Sequence, residues 1–168
     1  MKEEERQQQF ELAETLLSEQ NFVAAIISGA IATVLAAGIY AVMTAFSGGT
    51  SYSFMAAGIG AAIGFTMQFL GRGIDGKFAV VASVYAVLGC VLGNLLAVVL
   101  MISKADQVSP LTVISSIPTG ELLGWVFADL QLMDLVFWMA AVAGAAYFVK
   151  RRLSREEGFA LYTYNAEK

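Results

Sequence analysis

The chain has 168 residues, of which 58% are apolar and 14% charged, and its mean hydropathy is +0.68. Soluble domains average roughly 45–50% apolar and about 25% charged. A chain this short keeps too much surface to hide the surplus in one core, so lipid must solvate much of it. The same figures exclude a disordered chain, a collagen-like repeat and a disulfide scaffold, since Cys90 is the single cysteine and has no partner in the chain. A net charge of −4 argues against a nucleic-acid partner.

In chain order, residues 1–21 hold good helix formers without Gly or Pro. Phe10, Ala13 and Leu17 form a narrow apolar stripe with Leu12 and Leu16 beside it. Glu3, Glu4, Glu5, Glu11, Glu14 and Glu19 outweigh Lys2 and Arg6, the wrong sign for a helix lying on anionic headgroups. We expect this acidic helix to meet the basic patch around Lys150, Arg151, Arg152 and Arg155, in its own chain or a neighbour. The alternative is a solvated charged helix, because exposed ion pairs contribute little.

A membrane crossing needs about 20 apolar residues. Four runs meet or approach this, at 22–46, 52–70, 78–103 and 131–149. The first is too long for a signal-peptide core and follows an acidic segment. The expected fold is therefore all-α and polytopic: a transmembrane domain over 22–149, an N-terminal amphipathic helix over 1–21 and a basic, polar tail over 150–168. Placing the N-terminus in the cytoplasm puts Lys2, Arg6, Arg72, Lys77, Lys150, Arg151, Arg152, Arg155 and Lys168 inside and only Lys104 outside, as the positive-inside rule requires. Both termini are then cytoplasmic.

The long connection, 104–130, is punctuated by Pro110 and Pro118. Its stretch with Leu122, Trp125 and Phe127 is too apolar for a loop in water and too short to cross. It reads as a short outer interfacial helix. A re-entrant dip is the other choice, if its backbone ends are buried in protein.

Small residues recur at every fourth position. Gly60 and Gly64 form a GxxxG in the second crossing, and Gly89 and Gly93 form one in the third; the first carries Ala25, Gly29, Thr33, Ala37 and Ala41. In lipid, helices associate through close backbone contact, and the spacing serves packing within the chain as well as self-association. Polar residues inside the runs include Ser28, Thr33, Thr66, Gln68, Ser83, Tyr85 and Asn94. Asn94 lies deep enough to need a hydrogen-bond partner, so it makes an interhelical bond or lines a pore. Gln68 sits near the inner end. Asp134 opens the fourth crossing, where it caps free N–H groups or faces a polar cavity.

The segment Gly71–Lys77 superficially matches GxGxxG followed by lysine, but a phosphate loop must join a strand to a helix in a soluble unit. Here it reads as a hairpin turn whose glycines supply turn conformations. Arg72 and Lys77 stand at headgroup level with Asp75 to offset them, and Arg151 and Arg152 are the matching headgroup candidates after the fourth crossing. Without histidine there is neither a Ser–His pair nor a His/Cys zinc cluster, and no carboxylate pair lies at membrane depth. Asp106, Glu121 and Asp129 join Asp134 on the outer side, in a segment too loosely defined to be a metal site. No catalytic residue, metal or cofactor is expected. Cys90 reads as a small packing residue.

The hairpin Phe69, Leu70, Gly71, Arg72, Gly73, Ile74, Asp75, Gly76, Lys77, Phe78, followed by residues 88–94, resembles a group of small bacterial inner-membrane proteins, as do residues 133–137 more weakly. The resemblance implies four helices in a bacterial cytoplasmic membrane and no activity. The chain is unlike the small multidrug exporters, which need a glutamate in the first crossing. The expected function is a non-catalytic membrane protein acting by helix association. It would bind lipid and either itself or another membrane protein. The alternative is a small channel or transporter lined by Gln68, Asn94 and Asp134.

Overall fold

Asn21 starts the first long helix: its backbone is extended and its side-chain oxygen accepts from the Ala24 N–H at 2.8 Å, satisfying an N–H that the helix cannot. The computed structural model describes residues 3–47, 54–116, 118, 124 and 132–166. Among them are seven helices: α1 (Glu3–Ser18), α2 (Phe22–Phe46), α3 (Phe54–Gly71), α4 (Gly76–Asp106), α5 (Pro110–Ser116), α6 (Leu132–Phe148) and α7 (Arg155–Ala166). The protein is an all-α membrane bundle. Helices α2, α3 and α4 are long and apolar enough to cross a bilayer. Helix α6, with 17 residues, reaches about 25 Å at 1.5 Å per residue and lies along α3. The expected surface helix at Leu122, Trp125 and Phe127 lies outside the described residues.

The four long helices alternate in direction, yet the most intimate pairs are not neighbours in the chain. Helix α3 packs in parallel on α6, where a Cβ at Gly60 would run into the Ala141 carbonyl and one at Gly64 would come within 2.8 Å of the Ala145 oxygen. Helix α4 packs in parallel on α2, where Gly93 faces the Tyr40 ring and Ala37; Gly89 sits where three helices meet, nearest to Ile59 of α3 and then to Ile63 and Thr33. The Gly60 and Gly64 pair thus meets a second four-residue repeat of small residues in the same polypeptide, the arrangement that brings helix backbones together in lipid, whereas Gly89 and Gly93 make room for the larger Ile59 and Tyr40 side chains. Around these contacts Ile63, Met67, Phe78, Ala82, Ala86, Ala141 and Ala145 are fully buried. The outer surface, including Val34, Leu35, Ile39, Phe65 and Phe69, is apolar and exposed, as a lipid-facing belt requires.

In the α3–α4 turn the left-handed backbone belongs to Arg72 (φ 47°); its glycines serve closeness instead. A Cβ at Gly71 would stand 2.5 Å from that of Ala25, and one at Gly73 would strike the Phe78 ring. Helix α4 then runs on to Asp106 and stops at Gln107, again left-handed (φ 55°). Beyond it, α5 lies against α4 through Val113 and Val99.

The segment after the last crossing is not only a polar tail. It contains α7, which packs on α1 through a small apolar seam of Ala13, Leu16, Ala160 and Leu161. The Phe10 and Tyr164 rings are 5.6 Å apart along this contact.

Candidate functional site

Three connections converge at the end of the bundle that carries α1 and α7. The Asn21 N–H donates to the Gly71 carbonyl at 2.9 Å, and the Arg151 N–H donates to the Gly73 carbonyl at 2.9 Å. The Gln20 side-chain oxygen accepts from the Ile74 and Asp75 N–H groups at 3.1 and 3.4 Å. These bonds tie the α1–α2 junction, the α3–α4 turn and the α6–α7 link into one platform.

The platform's charges are largely paired. Arg151 reaches Glu19 at 2.6 Å and Glu157 at 3.1 Å, and Arg72 approaches the same Glu19 oxygen at 3.5 Å. The hydrogen bond from Arg151, aided by the charges of Arg151 and Arg72, holds the Glu19 carboxyl below its ordinary value against a smaller desolvation effect. Glu157 also accepts from the Ser154 N–H while the Ser154 hydroxyl accepts from the Glu157 N–H (2.7 and 3.2 Å), a capping box that starts α7. Lys77 pairs with Asp75 at 2.9 Å and stands 5.5 and 5.7 Å from the Phe22 and Phe78 ring centres. The acidic N-terminal segment therefore meets the basic patch of its own chain, through Glu19 just after α1.

Of the headgroup candidates, Arg72, Lys77 and Arg151 are engaged in these pairs. Arg152 and its neighbour Lys150 are exposed and form no ion pair among the described residues. Neither the sequence charge count nor the positive-inside rule separates the two kinds, because both depend only on residue type.

The three polar-lining candidates are not brought together. The Gln68 amide donates to the Lys150 carbonyl at 2.7 Å, at the charged end. Asp134 occupies the first turn of α6, at the opposite end. Asn94 follows Gly93, which faces Tyr40, and so lies between them in depth. Five further intramembrane hydroxyls are satisfied locally or across helices. The Ser28, Thr33, Thr66 and Ser83 hydroxyls donate to carbonyls three or four residues back at 2.7–3.1 Å. The Tyr85 hydroxyl donates to the Ile26 carbonyl at 3.0 Å. Asn94 differs: it is partly exposed and makes no side-chain hydrogen bond among the described residues. Cys90 is buried within the same helix face. At the far end, the buried Thr44 hydroxyl also finds no partner among the described residues, and Lys104 lies 5.2 Å from the Phe46 ring centre.

Comparison with protein-family models, curated proteins and solved structures gives no match.

Proposed function

We propose that this membrane bundle works by association, as a homo-oligomer or as a subunit or scaffold of a membrane complex, without catalysing a reaction itself. The observation that carries this reading is Asn94. Its amide sits at membrane depth, partly exposed, where its own chain supplies no hydrogen bond among the described residues. Hydrocarbon cannot satisfy it, and a polar group on a neighbouring helix can, for about 1 kcal/mol. The glycine pairs do not serve this purpose, since Gly60, Gly64, Gly89 and Gly93 are occupied within the chain. The docked pair α1–α7 complements it, because Glu3, Glu4, Glu11 and Glu14 remain exposed on α1 and offer an acidic face to a partner outside the membrane. We place the protein in a bacterial cytoplasmic membrane with both termini inside, the orientation that its lysine and arginine distribution favours.

Donor- and acceptor-labelled copies, reconstituted in liposomes at falling protein-to-lipid ratio, test the homo-oligomeric form. Energy transfer above the random-encounter level is expected for the parent and a weaker signal for Asn94→Leu, with helix content unchanged. Partners captured from native membranes and lost on the same substitution would assign the subunit form. A substitution that leaves both readouts unchanged would remove the basis of the proposal.

A further inference from the structure

We propose that the crevice between the charged ends of α3 and α6 is a binding site for one anionic phospholipid. The crevice encloses about 260 Å³ and is lined by Phe65 and Gln68 from α3, Phe148 from α6, and Lys150, Arg151 and Arg152 beyond it. Its two kinds of surface are separated as a lipid requires. The Phe65 and Phe148 rings stack at 4.4 Å and form the apolar wall. The cations form the rim, and no carboxylate lines it. Phe65 and Gln68 also border a second groove of about 410 Å³, lined as well by Thr66, Phe69 and Leu70 on the last two turns of α3. The outer face there is exposed, Phe69 by 84% and Phe65 by 51%. A cationic cleft thus adjoins an apolar, exposed groove at the charged end of a membrane-spanning helix, where the first part of an acyl chain would lie.

Charge selects an anion. Glu19 and Glu157 are both committed to Arg151, and the C-terminal ends of α3 and α6 add about half a negative charge each. Together these offset about three of the four cations Arg72, Lys150, Arg151 and Arg152. About one positive charge therefore remains, and Lys150 and Arg152 are the cations without ion pairs among the described residues. Gln68 fixes the rim by holding the Lys150 carbonyl at 2.7 Å, which leaves the Lys150 ammonium to meet a lipid phosphate beside the Arg152 guanidinium. The inference rests on the bundle being embedded in a bilayer and does not depend on its association.

Native mass spectrometry of the detergent-purified protein, titrated in parallel with phosphatidylglycerol and phosphatidylcholine, tests it. One phosphatidylglycerol retained in preference to phosphatidylcholine is expected. Lys150→Gln with Arg152→Gln should weaken that binding roughly thirtyfold, about fivefold for each cation near the membrane surface. Arg155→Gln, on exposed α7, should leave it unchanged. Phe65→Ala should also weaken phosphatidylglycerol binding, which separates a lipid from a soluble phosphate. Equal retention of the two lipids, full retention by the double variant, or glycerol phosphate competing as strongly as the intact lipid would each overturn the proposal. Failed energy transfer between copies, by contrast, would leave it standing.

Discussion

At Gly60 the absence of a side chain sets the separation of two helices. A methyl group there has no flexible neighbour to displace, because it meets the Ala141 backbone. Gly60→Ala should therefore push α6 away from α3 and cost about 1–3 kcal/mol, the range for overpacked sites. Gly38 is the matched control: a Cβ there meets nothing within 4 Å. Thermal unfolding in detergent should show Gly38→Ala within about 1 kcal/mol of the parent, the scale of the Gly–Ala difference in helix propensity. The glycine pairs were legible in the sequence as packing residues, whereas their partners were not. Ala140, Ala141, Ala143, Gly144, Ala145 and Ala146 are all small, so spacing alone could not choose the Ala141–Ala145 face.

Glu19 supplies a second test at this scale. Its carboxyl is held below its ordinary value of 4.5 by the Arg151 hydrogen bond, so the folded state binds the proton less readily than the unfolded chain. Its contribution is therefore present above pH 4.5 and lost as the pH falls through the lowered value. Hydrogen exchange of α1 should be flat with pH, after correction for intrinsic rates, down to about that point and accelerate below it. Glu19→Gln should abolish the acid step. An unchanged step in Glu19→Gln would assign it to another group.

Among the elements, α1 and α7 share a buried seam of Ala13, Leu16, Ala160 and Leu161 that is a cluster apart from the transmembrane core, with Ile74 of the α3–α4 turn packed against it. Leu16→Ala should cost about 2–5 kcal/mol of docking, as truncation of a buried leucine does. Exchange protection should fall in α1 and α7 together and stay unchanged in α2, α3 and α4. Loss of protection throughout the bundle would show that the two clusters fold as one. The seam also explains what the sequence left hidden. Only two residues of α7 are buried, Ala160 and Leu161, too few to set a periodicity, and the segment reads as polar. The apolar runs behave oppositely: Phe22–Phe46 was legible to the residue, since lipid demands an uninterrupted helix. Which long helices lie side by side was not, because short links reveal antiparallel neighbours, whereas the closest pairs here, α3 with α6 and α2 with α4, are parallel.

For the whole molecule, the internal contacts and the outer surface have different tasks. Inside, small residues and, Thr44 apart, hydrogen-bonded hydroxyls close the bundle. Outside, an apolar belt, an unmatched amide at Asn94 and a charged platform face lipid and partners. The platform was legible as a basic patch opposite an acidic helix, but the division between paired Arg151 and unpaired Arg152 depends on which carboxylates the fold delivers. Association is the claim on which the functional reading turns, and the mass of the particle extracted in mild detergent, corrected for bound detergent and lipid, tests it most directly. The account predicts a complex of more than one polypeptide, reduced in the Asn94→Leu variant. A particle containing a single 17.9 kDa chain across the accessible concentration range, with no other protein attached, would contradict it.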